Sequence, residues 1–179
     1  MLQTIKENLL TEILEDQKQR SEYFTPKRIA RISILIAISA VGSFIKIPSP
    51  TGTVALDSCT GYFSAVSFGW IEGSMVAGIG HMLSAFTAGF PLSLPVHLYI
   101  AFQMAIWASI FWFIATKFNL IVASLVAVIC NGIISAFLII PFGGVGMATA
   151  LIVPLVSGSI VNVLIASIAY KIVRKSNLI

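Results

Sequence analysis

The stretch "KRIARISILIAISAVGSFI", residues 27–45, decides how the chain is read. Lys27, Arg28 and Arg31 crowd its start, and everything from Ile32 to Ile45 is uncharged. Basic residues at one end of an apolar run sit where lipid headgroups and the positive-inside rule place them. The rest of the chain follows suit: 58% of its 179 residues are hydrophobic and 10% are charged, against about a quarter charged in soluble domains. A soluble fold of this size has too little interior to hide so much apolar surface. The sequence therefore predicts an all-α integral membrane protein. Its net charge of +4 lies at the ends of apolar runs and is no nucleic-acid signal.

Residues 1–26 form a region of their own, where acidic and basic side chains alternate. Ile5, Leu9 and Ile13 stand at i, i+4 and i+8, which puts one apolar stripe on a helix. The stripe is narrow, so the region is read as a cytosolic tail, with an interfacial amphipathic helix as the sharper alternative. It is too polar for a signal peptide. Residues 27–179 are then the membrane domain. Five apolar runs follow the first, at 57–70, 73–90, 94–115, 120–140 and 149–173. The run at 57–70 is short, because about 20 apolar residues are needed to cross a bilayer. The reading is a bundle of six spans.

With six spans, the three basic clusters fall on one side, which must be the cytoplasm. They are Lys27, Arg28 and Arg31; Lys117; and Lys171, Arg174 and Lys175. Both termini are then cytoplasmic. Lys46 is left on the outer side, in "KIPSPTGTVALDS", residues 46–58. Further outer loops are expected near 90–94 and at 141–148, "PFGGVGMA".

Polar groups inside a bilayer are costly unless they meet a partner, water or a ligand. Asp57, His81, His97, Gln103, Asn131 and Asn162 stand out for that reason. Most converge on the outer half of the bundle. Each also has an ordinary reading. A buried His is satisfied by a neighbouring helix, Asn131 and Asn162 can join helices, Asp57 can cap the second span, and Lys46 can snorkel. Cys59 and Cys130 have no metal-ligand spacing, and a disulfide is not expected. No catalytic set and no metal site is read from the sequence. It contains no G-x-x-x-x-G-K-[ST], so the chain has no P-loop. Glu72 is placed in an inner loop, which leaves no acidic relay through the spans.

These features resemble the substrate-binding (S) components of energy-coupling factor (ECF) vitamin transporters, over residues 27–175. The resemblance is carried by the short second span, the long polar first outer loop, both ends on the cytoplasmic side, and Ser33-xxx-Ala37 in the first span. The family's motif there is typically Ala-xxx-Ala, and Ser33 is a small departure from it. "IKIPSPTGTVALDSCTGYFSA" and "GHMLSAFTAGFPLSLPVHLYIAFQMAIWA" are similar to S components for cobalamin or its precursor α-ribazole. Pantothenate-type components are the nearest rival.

The resemblance implies a multi-pass protein of a prokaryotic cell membrane that is not itself an enzyme and holds no permanent cofactor. A vitamin would bind from outside, between the outer helix ends and under loop one. A transmembrane coupling (T) component, docked at Ser33 and Ala37, and two cytosolic ATPases would drive its release inside. On this reading the polar loop is a lid, stiffened by Pro48 and Pro50. The candidate substrate contacts are Lys46, Ser49, Thr51, Thr53, Asp57, Tyr62, His81, Phe90, His97, Gln103 and Asn131. Tyr62, Phe63, Phe90, Tyr99 and Phe142 would wall a wide pocket, or form the aromatic belt of any membrane protein. His97 or Cys59 could ligate a corrinoid's cobalt, though hydrogen bonding accounts for His97 equally. A rhomboid-like hydrolase is a reading of another class, and the absence of Gly-x-Ser-Gly argues against it.

Overall fold

The computed structural model describes residues 5–6, 9–10, 14–15, 24–49 and 52–176. From Pro26 onward the chain forms six helices and one hairpin: α1 Pro26–Gly42, β1 Lys46–Ser49, β2 Gly52–Ala55, α2 Cys59–Phe68, α3 Trp70–Thr87, α4 Leu94–Lys117, α5 Leu120–Phe137 and α6 Ile140–Lys175. The helices α4, α5 and α6 are long and apolar enough to cross a membrane. Of the stripe proposed for the tail, Ile5 and Leu9 are helical and exposed, while Ile13 lies outside the described residues.

Local chemistry sets the helix boundaries. Thr25 caps α1 by accepting the Arg28 N–H at 3.3 Å, and Pro26 occupies the first turn, where its missing donor costs nothing. Asn119 caps α5 by accepting the Val122 N–H at 2.9 Å. Arg174 and Lys175 lie in the last turn of α6, where cations favour the helix dipole. Only Gly69 separates α2 from α3. Its φ of 113° is open to glycine at little cost.

Helices pack closely because small side chains face one another. A Cβ placed on Gly61 of α2 would sit 2.7 Å from the Ala77 Cβ of α3. The central core is accordingly rich in alanine: Ala65, Ala77, Ala108, Ala123, Ala127 and Ala166 surround Tyr62 and Phe111. Small residues that let backbones approach are the main packing device inside a bilayer. Large apolar side chains point the other way, as Ile34, Ile38, Phe102, Phe113, Leu125 and Val153 do.

Four expectations are corrected. The polar stretch after α1 is a hairpin rather than a loop, with Lys46 opposite Ala55 and Ser49 opposite Gly52. Two residues separate its strands, the commonest hairpin spacing, so the helical fold carries one small β element. Residues 141–148 are helical and belong to α6 except at Gly144, whose φ of 72° bends the chain. Glu72 is not in a loop. It lies in the first turn of α3, 1% exposed. Arg28 Nε meets its carboxylate at 2.9 Å and so does Arg31 Nε, while the Arg31 guanidinium also rests 4.0 Å over the Phe68 ring. This clasp joins the N-terminal ends of α1 and α3. Last, Asp57 does not cap α2: Ser58 is the capping residue, without a side-chain bond. The Cys59 N–H is instead taken by Asn162 Oδ1 of α6 at 2.8 Å.

Candidate functional site

At the end of the bundle opposite the Glu72 clasp, the hairpin, α2 and the α3–α4 turn enclose a cavity with the middle of α5 and α6. It offers about 130 Å³ to the centres of water-sized molecules, room for about ten waters or roughly 300 Å³ of ligand. That is the small end of the range for small-molecule sites. Ala55 and Asp57 form one wall, His81 and Ser84 of α3 a second, and His97, Gln103 and Met104 of α4 a third. Asn131 and Ser135 of α5 and Leu151, Ser159 and Asn162 of α6 complete it.

Helix irregularities aim several of these groups. Residues Ile129–Ile134 of α5 are wound as a π-helix, a widened turn often found at functional sites. It carries Asn131 and leads into Ser135, which accepts the Trp107 Nε1–H at 2.8 Å. The α3–α4 turn holds three residues at left-handed φ: Gly89 at 78°, Phe90 at 50° and Ser93 at 75°. Two of them are not glycine, and such backbone strain persists only where surrounding contacts fix it. The turn places Pro91 and Leu92 on the cavity wall.

A directional hydrogen-bond chain runs along one side. The Leu92 N–H is 3.4 Å from His97 Nε2, which makes that nitrogen the acceptor. The His97 proton then sits on Nδ1, 3.2 Å from His81 Nε2. His81 in turn carries its proton on Nδ1, which faces Asp57 Oδ2 at 3.9 Å. Assigned from its partners in this way, each imidazole is neutral. Asp57 is then the single formally charged side chain among the described lining residues.

The sites expected from sequence are distributed as follows. Asp57, His81, His97, Gln103 and Asn131 all reach the cavity wall. Phe90 does not, but its ring lies 5.8 Å from that of His97. Tyr62 faces the core instead, 2% exposed and edge-on to Phe111 at 5.1 Å, because α2 points it into the central alanine-rich cluster. Lys46, Ser49 and Thr53 contribute their backbones to the hairpin, and Thr51 lies outside the described residues. Both ring nitrogens of His97 are engaged within the chain, and Cys59 is a free, half-buried thiol packed against the core.

Ser58, Ser84, Ser135 and Ser159 are wall residues that the sequence reading did not single out. Hydroxyls are too frequent in this chain to stand out one by one. The run Ser159-x-x-Asn162 inside an apolar helix was the usable signal. Asn162 is a joiner, as expected of an interhelical amide: beyond the Cys59 N–H, it donates to the carbonyls of Gly158 at 2.9 Å and Ala55 at 3.4 Å. Asn131 likewise joins α5 to α6 through Ser159 at 2.9 Å.

Comparison with known families resolves what such a bundle is. The family model "ECF transporter, substrate-specific component" matches residues 27–174. The chain belongs to that family. It is therefore a membrane-embedded, substrate-binding transport subunit, an S component. Among solved structures, one titled "Structure and mechanism of the S component of a bacterial ECF transporter" is similar to it. That likeness has a TM-score of 0.63 at 22% identity, and covers 85% of this chain and 95% of the other. At that identity it speaks to the fold alone. A comparison with curated proteins finds no match.

Proposed function

We propose that the chain captures a small vitamin-like solute from the outside and hands it to the cytoplasm. The observation that carries this reading is the cavity beside the hairpin, where polar side chains from four helices are set in a mostly apolar wall. Six spans with both termini cytoplasmic would put the hairpin outside and the Glu72 clasp inside. Energy would come from a T component and two cytosolic ATPases. Ser33 and Ala37, both exposed on the outer face of α1, would seat the T component.

Of the two cobalamin-related solutes, α-ribazole suits a cavity of this size, whereas a whole corrinoid is several times larger. Pantothenate fits by size and stands as the second reading. The hairpin would act as the lid, since its second strand ends at Ala55 on the cavity wall.

The test is calorimetric titration of the purified chain in detergent with α-ribazole, cobalamin and pantothenate. Saturable binding of α-ribazole, with no partner subunit present, is the expected result. Silence from these three and from a wider vitamin panel overturns the proposal. His97→Ala should weaken binding by about tenfold, because it removes the ring that fixes His81 and the Leu92 backbone at the cavity wall. An unchanged dissociation constant removes His97 from the site.

A further inference from the structure

Gln103 is the anomaly of the cavity. It lies on the wall, 4% exposed, and neither its Oε1 nor its Nε2 has a hydrogen-bond partner among the described residues. The other two wall amides are engaged: Asn162 makes three contacts and Asn131 bonds Ser159. Burying an unpaired amide group is costly, and nearly all buried polar atoms have partners. An exception that faces an enclosed cavity points to a partner inside that cavity.

The chemistry of the amide says what that partner carries. A carboxamide presents an acceptor and a donor side by side. Its complement is another such pair: an amide, a lactam, an aminoazine or the vicinal diol of a ribosyl group. A carboxylate has acceptors only, so it would leave Oε1 of Gln103 facing a second oxygen. The charges point the same way. Both histidines are neutral in the hydrogen-bond chain that Leu92 sets, Asp57 is acidic, and no Lys or Arg is among the lining residues whose side chains are described, a set that leaves out the hairpin side chains from Lys46 to Val54. Among those described side chains an anion would meet a carboxylate and no compensating cation.

We propose that Gln103 is the specificity-determining residue of this site, selecting an uncharged or cationic solute with an adjacent donor and acceptor and excluding carboxylate and phosphate forms. The proposal rests on reading the cavity as the transport site.

The experiment uses matched pairs that differ in charge, titrated into the full chain in detergent at neutral pH. The pairs are α-ribazole and its 5′-phosphate, pantothenol and pantothenate, and biotinamide and biotin. The expected result is that the neutral member of a pair binds at least about tenfold more tightly than its anion. An anion that binds as well as its neutral partner, or better, overturns the proposal and leaves the vitamin-binding reading standing. If no member of any pair binds, this proposal is overturned, and the vitamin-binding reading falls with it when the wider vitamin panel is silent too.

Gln103→Leu supplies the second readout. It should weaken the neutral ligand by about ten- to a hundredfold while leaving ligand-free thermal stability equal or higher, because it removes an unpaired buried amide. Unchanged affinity, or a loss of ligand-free stability, shows that Gln103 serves the fold rather than the ligand. Gln103→Glu should weaken the neutral ligand too, since it replaces the donor with a second acceptor.

Discussion

Ala37→Leu, or Ser33→Leu, should reduce uptake at least about tenfold while leaving the dissociation constant of the solitary protein within about twofold. Both residues are exposed on α1, one turn apart, while Ile32, Leu35 and Ser39 of the same helix are buried against the bundle. A leucine at either position therefore points away from the described bundle. It would hold off only a helix that approaches from outside, and close approach is what small residues permit. The check is paired: transport in vesicles that contain the ATPases and the T component, and titration of the isolated variant. Uptake at the parent rate would show that α1 does not carry the docking surface. Loss of binding would show that the substitution reaches the cavity.

Glu72→Ala should act on stability instead. Its carboxylate is 1% exposed and serves two guanidiniums, Arg28 and Arg31. Removing one partner from a fully buried ion pair costs about 3–5 kcal/mol, and the partial exposure of Arg28 and Arg31, 17% and 32%, puts this loss at the lower end, about 3 kcal/mol. For a chain of this length that corresponds to an unfolding midpoint lower by about 10 °C. Glu72→Gln keeps the shape and one acceptor, so it should fall between the parent and the alanine variant. Thermal unfolding in detergent reads both. A midpoint within about 2 °C of the parent for Glu72→Ala would mean that the clasp contributes little and α1 is held by packing alone.

The sequence exposed the parts of this molecule that follow from simple periodicity and cost. Helices α4 and α5 coincide with the apolar runs at 94–115 and 120–140 within a few residues. The brevity of α2 was visible because its run is too short to cross a bilayer. Asp57, His81, His97, Gln103 and Asn131 were found because polar groups in lipid need a reason, and they meet at one cavity.

What escaped has identifiable causes. The hairpin is hidden in a segment where proline and glycine read as loop, and the antiparallel pairing of residues three to nine apart leaves no periodic trace. Glu72 was assigned to a loop because a lone acid in an apolar chain suggests one; its two arginine partners are 41 and 44 residues away. The inward turn of Tyr62 depends on α2 packing against α3 and α4, which no local pattern announces. The π-wound stretch of α5 has the composition of an ordinary apolar helix.

The near contact of Gly61 with Ala77, with Gly69 as the only break between α2 and α3, makes these two helices one strut folded back on itself. Asp57 precedes one limb and His81 sits on the other. The Ser39 hydroxyl of α1 donates to the Asp57 carbonyl at 2.6 Å, and a Cβ on Gly80, the neighbour of His81, would run into that same hydroxyl. The first helix is thus keyed to both limbs of the strut, and any displacement of α1 would be felt at the carboxylate and the imidazole together.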